Sequence, residues 1–372
     1  MLTRSSSSTV TISSSKMRSG IAFSLGLAFV VMTAIALYGD LPRMLASLAQ
    51  FRWEYLPLIL GFTTFNYGWR FVKWEYYLKR LQIRLPVGTS LLIFLSGLSM
   101  AITPGKVGEL LKSYFLKRVT GVPVSRTSPI IVAERLTDGV AMLGLASMGL
   151  VLYRFGWELL LALLLIGLTG IVLIQNRRLS LMLLKRGERL PGIARVAHWL
   201  RAFYESSYTL LQWRPLLLAI LIGLISWSGE CVALYFVFRG LGVPGSPDLL
   251  IKTMFILAVS SLIGSASGLP GGLGTADGSM LGLTRLLVSA SATLGGAATL
   301  LIRLCTLWYG LLIGVCAAIL FRFLQRVDAS QKEVVSEEAA EHKENAHISP
   351  VDERTAVLAP ASASGNTGET VV

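Results

Sequence analysis

The chain has 372 residues, of which 53% are hydrophobic and only 15% charged; soluble domains carry about 25% charged residues. Its formal net charge is +13. Repeated apolar runs near or above the roughly 20 residues that cross a bilayer exclude a soluble globule, and their continuity excludes the alternating pattern of a transmembrane β-barrel. The chain therefore reads as an all-α polytopic membrane protein.

Charge is spread unevenly. Segment 327–372 holds nine acids and three bases, which leaves 31 bases against 12 acids, or +19, in the remainder. A membrane part this basic suggests contact with anionic inner-leaflet lipids. No nucleic-acid partner is expected, because the bases lie in connections between spans, where topology alone places them.

Residues 1–19 are Ser-rich, carry Arg4, Lys16 and Arg18, and read as a disordered cytoplasmic N-terminus. The apolar run that follows is long and is not succeeded by a small-x-small cleavage site, so it is expected to be an uncleaved first span at 20–39. Further spans are expected near 54–78, 128–152, 157–175, 214–238 and 296–321. Two apolar regions are interrupted: 88–119 at Pro104-Gly105, and 249–290 within "GLPGGLGTADG". Between the two halves, 176–213 interleaves Leu181, Leu184, Leu190, Trp199, Phe203 and Tyr208 with Arg and Lys, as an interfacial amphipathic helix or helix pair would. Residues 326–372 read as a disordered acidic tail.

Loop charges set the orientation. The N-terminus and the connection after 175 are rich in Lys and Arg, so both are expected on the cytoplasmic face. Lys79, Arg80 and Arg84 precede the first interrupted region, and Lys117, Arg118 and Arg126 follow it. Both sets stay inside if the region is a re-entrant hairpin. The same reasoning makes 249–290 a hairpin entered from the outer side, or a full span plus an interfacial piece. The expected count is about six full transmembrane helices plus two re-entrant Pro-Gly-broken hairpins, with eight spans as the alternative and both termini cytoplasmic.

The two interruptions resemble one another. "TPGKVGELLK" at 103 matches "LPGGLGTADG" at 269, and each is followed by a span bearing Arg-Leu, at Arg135 and Arg303. This divides the chain into a first transmembrane repeat at 20–152 and a second at 153–325. Three spans per copy is an odd number, so the second copy is expected to be inverted. Matched broken helices in inverted repeats point to a transporter's binding site. Half-helix starts offer free N–H groups and a favourable dipole to an anion such as phosphate, and glycines let a headgroup come close to the backbone. Broken backbone at membrane depth persists only where protein or a polar cavity covers it, so a cavity between the hairpins is expected. The residues singled out there are Pro104, Gly105, Lys106, Gly108, Glu109 and Lys112 in the first break, with Pro270, Gly271, Gly272, Gly274 and Asp277 in the second. Glu109 is expected to cap its half-helix.

A charge inside a span costs at least about 2.5 kcal/mol, so each needs a reason. Glu134, Arg135 and Asp138 fall within about one turn, and Arg135 can pair with Asp138 three residues on. They line the cavity or form a self-neutralising network. Arg303 needs an anion, with Asp277 and Glu230 as candidates. Arg70 and Lys73 are expected to snorkel to inner headgroups. Cys231, Cys305 and Cys316 share no ligand spacing, and His198, His342 and His347 are scattered. No metal, no cofactor and no catalytic triad is expected.

The segments "TPGKVGELLKSYFLKR…AERLTDGV", "WRFVKWEYYL" and "LPGGLGTADG…LIRLCTLWYGLLIG" resemble the lysylphosphatidylglycerol synthase transmembrane region, a family that includes flippase-like UPF0104-type membrane proteins. The resemblance covers roughly 20–325. In the two-domain synthases it implies movement of an aminoacylated phospholipid between leaflets, with a separate soluble domain making that lipid. About fifty polar residues follow Phe323 here, too few for an aminoacyltransferase domain, so lysyl transfer is not expected. Asp277 stands where the family often has Glu, and Ile302 where Tyr is common. The resulting expectation is a non-enzymatic flippase-like protein of a bacterial-type inner (plasma) membrane. It would translocate a phospholipid or lipid-linked headgroup, with Arg135 and Arg303 on the phosphate and Glu134, Asp138, Glu230 and Asp277 holding those arginines or coupling protons. The alternatives are a membrane enzyme on polyprenyl-phosphate or lipid-linked glycan substrates, and an accessory subunit for a lipid-modifying enzyme or glycosyltransferase.

Overall fold

The computed structural model describes residues 41–101, 103, 109–153, 157–187, 197–288 and 291–325. The expected first span at 20–39, the N-terminus, the acidic tail, and Pro104, Gly105, Lys106 and Gly108 lie outside them. Every regular element among the described residues is helical, so the all-α expectation holds. Helix α1 spans Leu41–Ala49 and leads through a short 3-10 turn to α2, Leu56–Arg80. Then come α3 (Val87–Leu98), α4 (Leu110–Thr120), α5 (Val124–Tyr153) and α6 (Trp157–Gln175). The amphipathic insert is a helix pair, α7 (Arg177–Gly187) and α8 (Ala197–Leu210). Helix α9 runs Trp213–Gly240, α10 Pro247–Ala266 and α11 Thr275–Val288. Helix α12 runs Ala292–Arg303, passes through a π-helical turn at Leu304–Trp308, and continues to Gln325.

Among the described residues three helices are long and apolar enough to cross a bilayer: α9, α10 and Ala292–Gln325. Helices α2 and α5 are as long, at 25 and 30 residues, but carry charges in their interiors. The interrupted regions differ from each other. Helices α3 and α4 have 12 and 11 residues, about 18 and 16 Å at 1.5 Å per residue, short of the ~30 Å hydrocarbon core. They pack on one another through Gly97, where Lys112 Cγ lies 2.6 Å from the site of a Cβ. In the second region α10 alone has 20 residues, enough to cross, and only α11 is short.

Local signals explain where these helices begin and end. Helix α10 starts at Ser246, whose hydroxyl accepts from Leu249 N at 3.0 Å, with Pro247 in the first turn. Ser291 does the same for α12, accepting from Leu294 N at 3.2 Å. Ser and Pro at these positions satisfy or dispense with the orphan N–H groups of a first turn. Helices α2 and α9 end alike. Ile83 N donates to Leu78 O at 2.9 Å, and Val243 N to Phe238 O at 3.0 Å. The left-handed residue in each closure is Gln82, φ 58°, or Gly242, φ 88°. These are matched Schellman-type stops, at positions that differ by 160 in both copies.

The same offset marks the centre of the molecule. Asn66 Nδ2 donates to Ser226 O at 3.0 Å, and Ser226 Oγ donates back to Asn66 O at 3.2 Å, across a separation of 160 residues. Equivalent positions touch reciprocally only where a two-fold axis passes between them. The neighbours run in opposite senses: Tyr55 and Phe62 stack on Phe236, Phe65 meets Gly229, and Lys73 meets Gly223. Helices α2 and α9 are therefore equivalent and antiparallel, as an inverted repeat requires. The apolar core divides around them into one cluster centred on Phe238, Phe255 and Ile302 and another on Trp74, Phe94 and Phe115.

A polar chamber between the repeats

A cavity of about 200 Å³ opens between the halves. Gly97, Leu98 and Ala101 close it on the first-repeat side; Gly264, Gly271 and Gly272 close it on the second. The second break comes close to the end of the described segment that leads into the first: a Cβ on Gly271 would lie 3.8 Å from Ala101 O. The chamber wall also carries Arg70, Arg135, Arg303, Glu109, Glu230 and Asp138, so the charged residues picked out in the sequence do converge.

Arg303 takes Asp277, one of its two expected candidates, but the partners in the first repeat differ from the expected ones. Arg135 does not pair with Asp138. Its guanidinium forms a two-pronged contact with the Glu109 carboxylate. Glu109 accordingly makes no side-chain cap on α4. Asp138 takes Lys73 instead, at 2.6 Å, and Glu134 takes Lys112, also at 2.6 Å. Lys73 is 1% exposed. It cannot snorkel to a headgroup, because its ammonium faces Asp138 on a neighbouring helix rather than the helix end. Helical spacing placed Arg135 and Asp138 within reach, but burial forces each charge to an interhelical partner whose geometry is better.

The second repeat repeats the first. Asp277 Oδ1 accepts from Arg303 Nε at 2.5 Å, and Asp277 Oδ2 accepts from Gly274 N at 2.9 Å, so this carboxylate holds the arginine and caps α11 together. Arg303 Nη1 also donates to Gly271 O at 3.3 Å. Glu109 and Asp277 each precede their arginine by 26 residues. That shared spacing is a signal in the sequence that the Pro-Gly alignment passes over. Pro270 and Gly272 are buried in the 3-10 turn between α10 and α11, and Gly271, Gly272 and Gly274 all have positive φ, a conformation that a Cβ disfavours. Just beyond Arg303, Tyr67 OH donates to Thr306 O in the π-helical turn at 2.7 Å, beside Gly310, where a Cβ would collide with the same hydroxyl. Such π turns recur at functional sites; nothing in the sequence marks this one.

Residues 20–314 match the family model described as the lysylphosphatidylglycerol synthase TM region. The chain belongs to this family. Similar proteins in the family's style of description are two UPF0104 membrane proteins of Methanothermobacter thermautotrophicus and one of Methanocaldococcus jannaschii. The first is 35% identical over 105 residues, 28% of this chain and 30% of that protein. The Methanocaldococcus protein is 26% identical over 50% of this chain and 78% of its own length. The second Methanothermobacter protein is 28% identical over 56% of this chain and 68% of its own. The chain is thus a membrane protein of the synthase-TM or UPF0104 type, and the family match spans both breaks and both arginines.

Proposed function

We propose that the protein passes a phospholipid headgroup between leaflets through the chamber. The observation that carries this reading is the convergence of three guanidinium groups, from Arg70, Arg135 and Arg303, on one cavity between antiparallel repeats. A phosphate is the natural ligand of such donors, whose planar forks match its oxygens. The acids orient the arginines: Glu109 and Asp277 each grip one side of a guanidinium. They are engaged by bases, which leaves them poorly placed as catalytic bases or metal ligands and speaks against the enzyme alternative. On this reading the protein sits in an inner (plasma) membrane with cytoplasmic termini, and α7 and α8 rest on anionic lipid, with Trp199, Met182 and Arg177 exposed on them. A lipid-modifying enzyme is the natural supplier of its substrate.

The test is translocation of acyl-labelled phospholipids in vesicles containing the full chain. Arg135→Gln and Arg303→Lys should each slow it at least about tenfold, the scale of a lost charge-assisted contact. The lysine keeps a charge against Asp277, so folding is preserved. Unchanged rates in both variants, or no translocation by the wild type, refute the reading.

A further inference from the structure

Four cations and four anions of the chamber and its wall are matched one to one: Lys73 with Asp138, Lys112 with Glu134, Arg135 with Glu109, and Arg303 with Asp277. Two charges remain. Among the described residues neither Arg70 nor Glu230 forms an ion pair, although both line the cavity. Arg70 lies over the Trp227 ring at 5.8 Å. Among the described residues Arg70 and Arg303 are the bases, and Asp138 the acid, within electrostatic reach of Glu230. The two leftover groups occupy equivalent places: 70 and 230 differ by the offset of 160 that relates Asn66 to Ser226. The axis therefore sets a cation on one side of the chamber against an anion on the other. Two more donors beside them lack partners, Trp227 Nε1 and Arg303 Nη2, and both are buried. Buried polar groups are nearly always satisfied, so an unsatisfied set on one cavity calls for a missing partner.

We infer that the chamber is built for a zwitterion, a phosphate with a nearby amine, whose phosphate meets Arg70 and the orphaned donors while its ammonium meets Glu230. The inference rests on the headgroup reading above and names the class of headgroup. With the other charges described in the chamber and its wall matched, a ligand carrying one charge of each sign completes the set and adds no net charge. An anionic headgroup would satisfy Arg70 but set a negative charge facing Glu230. Specificity then comes from a repulsive element as much as from an attractive one.

The experiment measures Kd on the full chain in detergent for dihexanoyl phosphatidylethanolamine, dihexanoyl phosphatidylglycerol and free phosphoethanolamine. The wild type should bind the ethanolamine lipid about tenfold more tightly than the glycerol lipid, the worth of one charge-assisted contact. Glu230→Gln should erase that preference while glycerol-lipid binding is kept or improved; Arg70→Gln should weaken both. The double variant Arg70→Gln/Glu230→Gln retains charge balance and should remain folded without a preference. Free phosphoethanolamine binding as tightly as the lipid upholds the pair and makes a soluble zwitterion the ligand; weaker binding assigns it to the lipid. Equal affinities for the two lipids, or a preference that survives Glu230→Gln, overturn the inference and leave the headgroup reading standing. No binding of either lipid by folded wild type overturns both.

Discussion

Lys73 and Asp138 show how costly a single unmatched charge is here. Both are almost wholly buried, at 1% and 5% exposure, and removing one partner of such a pair costs about 3–5 kcal/mol because the other is stranded. Asp138→Asn should therefore lower the unfolding midpoint in detergent sharply, whereas Lys73→Met/Asp138→Leu should recover most of the loss. If the double change is as damaging as the single one, the pair does more than neutralise itself. The sequence makes these residues conspicuous, since each is a charge in an apolar run. It could not pair them. Arg135 and Asp138 are near neighbours along one helix, but the partner that wins comes from another helix, 26 residues upstream for Arg135 and 65 for Asp138. Lys73 was misread because its position near a helix end fits snorkelling as well as burial; only packing decides between them.

At the scale of elements, the breaks were legible because Pro and Gly have few other uses inside an apolar run. What the break packs against was not. Gly264 on α10 receives Gly272 and Ala276 so closely that a Cβ would lie 2.6 Å from Ala276 Cβ. Gly264→Ala should cost about 1–3 kcal/mol by overpacking. Gly278, one helix on, has nothing within 4 Å of a Cβ, and Gly278→Ala should be neutral or stabilise by up to about 1 kcal/mol through helix propensity. Thermal unfolding of the two variants side by side checks both. The lengths of the hairpin arms also escaped the sequence. The first region yields two short helices, while the second gives α10 its full 20 residues. Helix α3 is strongly apolar while α4 carries Lys112, Lys117 and Arg118, yet this change of composition does not mark where either helix stops.

The whole molecule is organised by the antiparallel crossing of α2 and α9. Their C-terminal closures, at Gln82 and Gly242, should therefore reach opposite sides of the membrane. Both positions are exposed. Single cysteines placed there, in a background lacking Cys231, Cys305 and Cys316, should react with an impermeant maleimide from opposite faces of a sealed vesicle. Labelling of both from one face would contradict the inverted arrangement. The Pro-Gly and Arg-Leu motifs point to a repeat in the sequence. The equivalence of α2 and α9 was not legible there, because it rests on a backbone closure that uses Gln in one copy and Gly in the other.

The reciprocal contact between Asn66 and Ser226 has a mechanical consequence. When two inverted copies trade conformations, every atom moves to the place its counterpart held, except those on the axis, which map onto themselves. The contact between Asn66 and Ser226 sits on that axis, so such an exchange would leave it in place. On the translocation reading proposed above, that contact would be the fixed point of such an exchange, with Arg70 and Glu230 one turn away on α2 and α9.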